Sequence, residues 1–155
     1  MPMTKKTIFF VISVCLIHLT TLPSNGYCDD WVYVSSNEKY TKYYNASSVK
    51  IDKKNATIKV WMKRVYTEKG KIDFLKHFDD IKKQKYIDID YKLGLYEINY
   101  LTSEYRLIHI IYYSKLNNVL YDGQPVSEWH LIKRDSSVHK VKEKIMHDYH
   151  ILSGQ

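Results

Sequence analysis

The stretch that decides the fold is Leu93–Ser114, LGLYEINYLTSEYRLIHIIYYS. Two runs rich in Tyr, Ile and Leu flank a short polar break at residues 101–104. Because β-branched and aromatic side chains pack well on a pleated surface, both runs favour strands. The break has the length of a hairpin loop. The sequence therefore predicts a β-hairpin, and a buried helix over residues 105–113 is the less favoured alternative.

Alternate residues of the second run divide into two faces. Strict alternation separates Tyr105, Leu107, His109, Ile111 and Tyr113 from Arg106, Ile108, Ile110 and Tyr112. Both sets are largely apolar, which is typical of a strand that is covered on both sides. We therefore predict that the hairpin lies at the centre of a sheet, with other elements packed over each face.

The rest of the chain adds strands and two helical patterns. Thr57–Tyr66 alternates apolar and polar residues as a half-buried strand does. Apolar residues recur at helical spacing through Ile72–Lys85, which predicts an amphipathic helix. A second helix is predicted over residues 138–150, because Asp-Ser-Ser at 135–137 offers oxygens that cap its first amides. We predict an α+β domain: a five- to six-stranded antiparallel sheet, with the C-terminal helix packed on one face and the second amphipathic helix in the middle of the chain.

The strand predicted at Thr57–Tyr66 has two contrasting faces. The apolar one, which we predict to be buried, carries Ile58, Val60 and Met62. Trp61 lies on the other face, between Lys59 and Lys63. Such a Trp can be a binding platform with cationic neighbours. More often lysine stems or a neighbouring element cover part of it, and we favour this second interpretation.

The first 26 residues are typical of a signal peptide. Lys5 and Lys6 form a positive n-region, an apolar run covers residues 8–19, and Pro-Ser-Asn-Gly at 23–26 supplies small or turn-forming residues for cleavage. The run is shorter than the roughly 20 residues that span a bilayer, so a retained anchor is the weaker interpretation. We predict a signal peptide over residues 1–26.

Cleavage after Gly26 leaves a single domain over residues 27–155, and a cut after Cys28 is the second choice. Cys15 is removed with the signal peptide, and Cys28 then lies at the N-terminus or is lost. No disulfide is therefore predicted inside the domain. We expect a periplasmic, surface-located or secreted protein that does not span a membrane once it is processed.

The chain is basic, with 24 Lys and Arg against 17 Asp and Glu, a net charge of +7. No acidic residue precedes Asp29, so loss of Lys5 and Lys6 lowers this charge by 2, to +5. Basic residues beside aromatic ones fit nucleic acid, anionic glycans, acidic lipids or acidic protein surfaces. Export argues against nucleic acid. Because the lysines are scattered over several elements, the sequence favours a generally solvated basic surface over a dedicated anion site.

His139, Glu143 and His147 recur at four-residue steps on the predicted C-terminal helix, which places them on one face. Imidazole and carboxylate together can ligate a transition metal. The competing interpretation is a solvated polar face without a task, because these residues lie opposite the apolar stripe of Val138, Val141, Ile145, Tyr149 and Leu152.

The familiar signatures of enzymes are missing from the sequence. It has no Gly-rich phosphate loop, no Gly-x-Ser-x-Gly, no His-Glu-x-x-His and no cysteine cluster. Nothing in the spacing of its acidic residues and histidines marks a general acid and base. The sequence thus favours a binding or structural role over catalysis, and no catalytic residue is predicted.

A series of short motifs covers nearly all of the predicted mature chain. They are Asp30-Trp31-Val32, Tyr43-Tyr44-Asn45, Ser47-Ser48-Val49, Val60-Trp61, Leu95-Tyr96-Glu97-Ile98-Asn99, Tyr105-Arg106, Tyr112-Tyr113-Ser114, Glu128-Trp129 and Ser136-Ser137-Val138. In order and spacing they resemble the surface-adhesin protein E (adhesin E-like) family of exported bacterial proteins. The resemblance implies a small antiparallel sheet with a C-terminal helix tethered against it and, in the namesake, a homodimer. It also implies adhesion, because the namesake binds host extracellular-matrix proteins, plasminogen and haem.

The chain departs from the family pattern at the tether. The family commonly has a cysteine where Tyr100 stands, bonded to another near His147, and both are absent here. The tether is therefore predicted to be noncovalent packing by Val141, Ile145 and Tyr149.

Together these features predict an exported binding protein, with surface adhesion to a host or matrix protein as the first hypothesis. The alternative is a periplasmic protein that binds a small ligand. In that case haem or a metal would lie beside His139 and His147, or under the Ile72–Lys85 helix.

Overall fold

A computed structural model describes residues 30–151 of the protein. The predicted signal peptide, both cysteines and Leu152 lie outside these residues. None of the helices between residues 30 and 151 has the length and apolar character needed to cross a membrane.

The described residues form one antiparallel sheet of eight strands. The six main strands lie side by side in the order β1 (Trp31–Ser36), β2 (Tyr40–Asn45), β4 (Thr57–Tyr66), β5 (Ile89–Asn99), β6 (Glu104–Ser114) and β7 (Val119–Gly123). Two short strands, β3 (Lys50–Asp52) and β8 (His130–Leu131), pair with β4 and β6. The predicted α+β class and antiparallel sheet are confirmed, and these two short strands account for the larger strand count.

The helical segments are α1 (Glu68–Leu75), α2 (Asp80–Tyr86) and α3 (Ser137–Asp148), with a short 3-10 helix at Ala46–Ser48. The single helix predicted over residues 72–85 is wrong, because the chain breaks between α1 and α2. Asp79 is the cause: its side chain accepts a 2.9 Å hydrogen bond from the Lys82 amide and starts a new helix there. A short acidic side chain favours such an N-cap over a helix interior.

The predicted hairpin is confirmed as β5 and β6, near the middle of the sheet. The strict alternation predicted for the second strand of this hairpin is not confirmed. Leu95 pairs with His109 and Tyr96 pairs with Leu107, so Ile108 is the extra residue of a β-bulge. As a result Arg106 shares a face with His109, although strict alternation placed them on opposite faces.

The C-terminal helix covers one face of the sheet, as predicted. Val141 and Ile145 of α3 are 1% and 0% exposed, and they join Ile58, Val60 and Ile98 in one core cluster. The amphipathic stripe of α3 thus packs on the apolar face of β4, and burial of such side chains stabilises the fold by about 2 kcal/mol each.

Helices α1 and α2 are joined to the sheet by an aromatic cluster. The Phe74 ring lies 5.4 Å from the rings of both Tyr66 and Tyr112, and 5.0 Å from that of Phe78. Tyr86 lies 5.6 Å from Tyr112. Edge and tilted contacts of this kind add to the stabilisation that burial provides.

All three helices lie on the same side of the sheet, because Ile58 under α3 and Tyr66 under α1 occupy same-face positions of β4. We call this side, with Ile58, Val60, Met62, Arg64 and Tyr66 of β4, the helix-covered face. The other side, with Lys59, Trp61, Lys63 and Val65 of β4, is the open face. The prediction that elements cover both faces is confirmed for one face: within residues 30–151 no helix packs on the open face.

The hairpin contacts α3 without a covalent link. Tyr100 packs against the core cluster to which α3 contributes. The Lys142 amino group donates a 3.1 Å hydrogen bond to the Ser103 hydroxyl in the hairpin loop. Tyr149 is 48% exposed, and Met146, at 8%, is the buried residue at this end of the helix. The noncovalent tether is confirmed for Val141 and Ile145 but not for Tyr149.

Candidate functional site

The open face is the main candidate for a functional surface. Directly paired residues of an antiparallel sheet point to the same side, so the strand register decides which side chains belong to it. Its aromatic members come from five strands: Trp31, Tyr33, Tyr43, Trp61, Tyr91 and Tyr113. Leu93, Leu95 and Ile111 lie between them.

The rings on the open face are held in pairs across neighbouring strands. Tyr91 and Tyr113 stack with centroids 4.7 Å apart, and Tyr33 meets Tyr43 edge-on at 6.1 Å. Tyr33 is 58% exposed. Because these four rings are fixed by their neighbours, a partner that covers them orders few additional side chains on binding.

Trp61 is half-buried, and a ring from β6, two strands away in the sheet, supplies part of the cover. Its ring lies 5.6 Å from that of His109 on β6. The two flanking lysines turn elsewhere: Lys59 reaches Glu97 at 3.4 Å, and Lys63 lies 4.3 Å from the Tyr91 ring centroid. The favoured interpretation of Trp61 is partial cover by lysine stems or by a neighbouring element. It is confirmed, and the cover is of the second kind.

Glu97 organises one end of the open face. This carboxylate is 7% exposed and accepts a 2.7 Å hydrogen bond from Nε of Arg106, as well as the ion pair from Lys59. The Arg106 guanidinium also lies 4.7 Å from the Trp129 ring centroid. These residues line an open cleft of about 550 Å³, and Lys50 also lines it. The cleft thus presents cationic and aromatic groups around the buried carboxylate of Glu97, and Asp52 and Glu104 also line it.

The predicted metal candidates are spread along the exposed side of α3. His139 Nε2 lies 4.0 Å from Glu143, whereas His147 is largely exposed and contacts Asp148 at 3.1 Å. Between residues 30 and 151 no group of three His, Cys, Asp or Glu side chains is arranged to hold a metal ion. The assignment of a metal to His139, Glu143 and His147 stays a prediction.

Sequence reasoning missed the openness of this face and the role of Glu97. Alternation shows which residues share a face of one strand, but not on which side of the sheet the helices pack. The pairing of Glu97 with Arg106 depends on the bulge at Ile108, which leaves no periodic signal.

The comparisons with known proteins identify the fold. No protein-family model and no curated protein sequence matches this chain. The structure of Haemophilus influenzae protein E is similar to it, with a TM-score of 0.50, 10% sequence identity, and coverage of 77% of this chain and 86% of that chain. The chain has an adhesin E-like fold. A second crystal form of protein E matches with a TM-score of 0.45 and 8% identity, over 76% of this chain and 94% of that chain.

At 10% identity the likeness to protein E is one of fold. It confirms the architecture that the sequence motifs implied, a small antiparallel sheet with a C-terminal helix against it.

Proposed function

We propose that this chain is an exported binding protein whose open face binds another protein. The observation that carries the proposal is the set of paired aromatic rings on a sheet face that no helix covers within residues 30–151. Contiguous exposed apolar surface is typical of interaction sites, and Tyr, Trp and Arg are enriched at their centres. The predicted signal peptide supports export, and the absence of enzyme motifs favours binding over catalysis.

One cation of the open face, Lys63, fits a carboxylate of a protein partner, although Asp52, Glu97, Glu104 and Asp122 occupy positions on the same face. Lys59 and Arg106 share the single carboxylate of Glu97. Lys63 has no carboxylate partner among the described residues, and its amino group lies over Tyr91 at 4.3 Å and Trp31 at 5.6 Å. A cation placed on an aromatic platform can pair with a carboxylate of a partner and guide its approach.

The biological role that we propose is surface adhesion to a host or matrix protein. The resemblance of the sequence to the surface-adhesin protein E family supports this role. Surface location has its own test: antibody labelling of intact cells should detect the protein. Recovery only in osmotic-shock fluid, with no labelling of intact cells, would contradict adhesion.

Charge reversal at Lys63 tests the binding face. The mature domain, residues 27–155, is offered to immobilised matrix proteins as wild type, as Lys63→Glu and as Lys53→Glu. The last is a matched control, because Lys53 lies in an exposed turn away from the aromatic pairs. We expect capture by wild type and Lys53→Glu, and at least a tenfold loss for Lys63→Glu. Equal capture of all three forms, or capture of none, would overturn the proposal.

A second copy of the chain is the competing occupant of the open face. The family resemblance implies a homodimer, and sedimentation analysis of wild type and Lys63→Glu distinguishes the two cases. A wild-type dimer that dissociates in Lys63→Glu would show that the face is an interface between copies, and the acidic partner would then be rejected.

The haem- or metal-binding alternative stays a prediction. One of its two proposed places is under the residues of α1 and α2, where the rings of Phe74, Phe78 and Tyr86 contact one another. The other is the exposed side of α3 at His139 and His147. A haem titration tests its haem form: an unchanged Soret band with wild type and His139→Ala alike would reject haem binding.

A further inference from the structure

Three basic side chains form a row across the helix-covered face. Lys42 on β2 pairs directly with Arg64 on β4, and Arg64 pairs directly with Lys92 on β5. Neighbouring strands are about 4.8 Å apart, so the three side chains leave the sheet side by side. Like charges placed directly opposite each other destabilise a sheet. We call these residues the basic row.

The basic row has no counter-charge. Within residues 30–151 none of its members forms an ion pair with Asp or Glu. Lys42 Nζ donates a 2.8 Å hydrogen bond to the Ser137 hydroxyl, and the Arg64 guanidinium lies 4.6 Å from the Tyr40 ring centroid. No described residue gives the Lys92 amino group a hydrogen bond or an ion pair. Three half-buried cations thus face one another where ion pairs would normally be found.

The polar groups around Lys92 are basic or hydroxylic, and Met62 is the apolar member of the same pocket. Lys42 and Arg64 approach it from β2 and β4, Tyr96 and Tyr112 lie beside it, and α3 contributes the hydroxyl of Ser137. Burial, with Arg64 and Lys42 adding to it, lowers the pKa of Lys92 to about 7. Burial and Arg64 lower the pKa of Lys42 to about 8. Strongly shifted groups that converge in a cleft are typical of functional sites.

A cleft of about 550 Å³ opens beside the basic row, and no Asp or Glu lines it. Lys42 and Arg64 form one wall, while Tyr96, Tyr105 and Leu131 supply rings and an aliphatic side chain. The first turn of α3 forms another wall and contains no acidic residue. The free amide groups at the N-terminus of α3, and the positive end of its helix dipole, favour an anion in this cleft.

We infer that this cleft binds a small organic anion whose phosphate, sulfate or carboxylate group lies against Lys42 and Arg64. Lys92 lies behind them, in a small adjoining pocket that shares Lys42, Arg64, Tyr96 and Ser137 with the cleft. The planar fork of Arg64 and the Lys42 amino group supply donors for the oxygens of the anion, and the charge of Lys92 behind them adds to the attraction. Tyr96, Tyr105 and Leu131 hold the body of the ligand. This site is on the opposite side of the sheet from the open face, so it is independent of protein binding there.

Titration calorimetry with four probes tests the site: inorganic phosphate, phenyl phosphate, phenyl sulfate and benzoate. We expect phenyl phosphate to bind better than inorganic phosphate, because the ring reaches the tyrosine wall. The relative affinities of the three phenyl compounds identify the preferred anionic group. Lys42→Met and Lys92→Met should each weaken binding of the best probe at least tenfold, and Lys53→Met should leave it unchanged.

Proton uptake provides a readout that a general loss of structure would not produce. An anion beside Lys92 raises its pKa, so binding at pH 7.5 should take up protons, as measured in buffers of different ionisation enthalpy. Uptake should be reduced in Lys92→Met, whose fold is checked by circular dichroism. Absence of binding by all four probes, or wild-type affinity in Lys92→Met, would overturn the inference.

Discussion

Lys92 makes the stability of the protein depend on pH, and Lys92→Met should remove most of that dependence. In the unfolded chain its amino group titrates near pH 10.5, whereas burial lowers the pKa to about 7 in the folded protein. Between these values the unfolded state binds more protons, so stability rises with pH. Below pH 7 both states are protonated, and the full cost of the buried charge remains.

The expected magnitude follows from the two pKa values. One pKa unit corresponds to about 1.4 kcal/mol, and between pH 7 and pH 9 the folded protein releases the Lys92 proton while the unfolded chain keeps it. The free energy of unfolding should therefore rise by about 2 kcal/mol over this interval. Methionine has a similar length and no charge, so Lys92→Met should lose this part of the rise and keep only the rise of about 1 kcal/mol that Lys42, with its lowered pKa of about 8, contributes.

Urea unfolding followed by circular dichroism at pH 6, 7, 8 and 9 measures this effect. Wild type and Lys53→Met should show the same rise with pH, whereas Lys92→Met should be the more stable protein at pH 6. Parallel pH profiles for wild type and Lys92→Met would refute the reasoning, because they would show that Lys92 keeps its proton throughout.

Two further predictions concern the attachment and the start of α3. Ile145→Ala should lower the free energy of unfolding by about 2–5 kcal/mol, since Ile145 is 0% exposed, whereas Tyr149→Ala should cost less than about 1 kcal/mol. Chemical denaturation measures both, and equal losses would contradict the packing described for α3. Ser136→Ala should cost about 1 kcal/mol, because the Ser136 side chain accepts a 3.2 Å hydrogen bond from the His139 amide. Ser136→Asp restores an acceptor and should recover most of that loss; a neutral Ser136→Ala would contradict the capping role.

The central hairpin and the C-terminal helix were predictable because their signals are local. The density of Tyr and Ile in Leu93–Ser114 favours strands whatever surrounds them. Val141 and Ile145 recur at helical spacing just after the capping residues, which fixes both the helix and its buried side. Tyr149 follows the same spacing but lies past the last turn of α3, where the chain no longer keeps it against the sheet.

The sites were less predictable because they depend on how strands that are far apart in the sequence pair in the sheet. Lys42, Arg64 and Lys92 lie far apart in sequence, and only the register of β2, β4 and β5 brings them together. The interpretation of the lysines as generally solvated is therefore wrong for Lys42 and Lys92, which are half-buried in one row. Similarly, the apolar residues on both faces of β6 predicted cover on both sides of the sheet. Within residues 30–151, however, α1, α2 and α3 all pack on the helix-covered face.

Site-specific photocrosslinking tests the central claim, binding through the open face, most directly. A benzophenone amino acid replaces either Tyr33 on the open face or Tyr149 just after α3, which are 58% and 48% exposed. Each protein is irradiated with the matrix protein that captures the wild type. The proposal predicts a covalent adduct from position 33 and none from position 149. An adduct from position 149 alone would contradict it and assign binding to the helical side of the molecule.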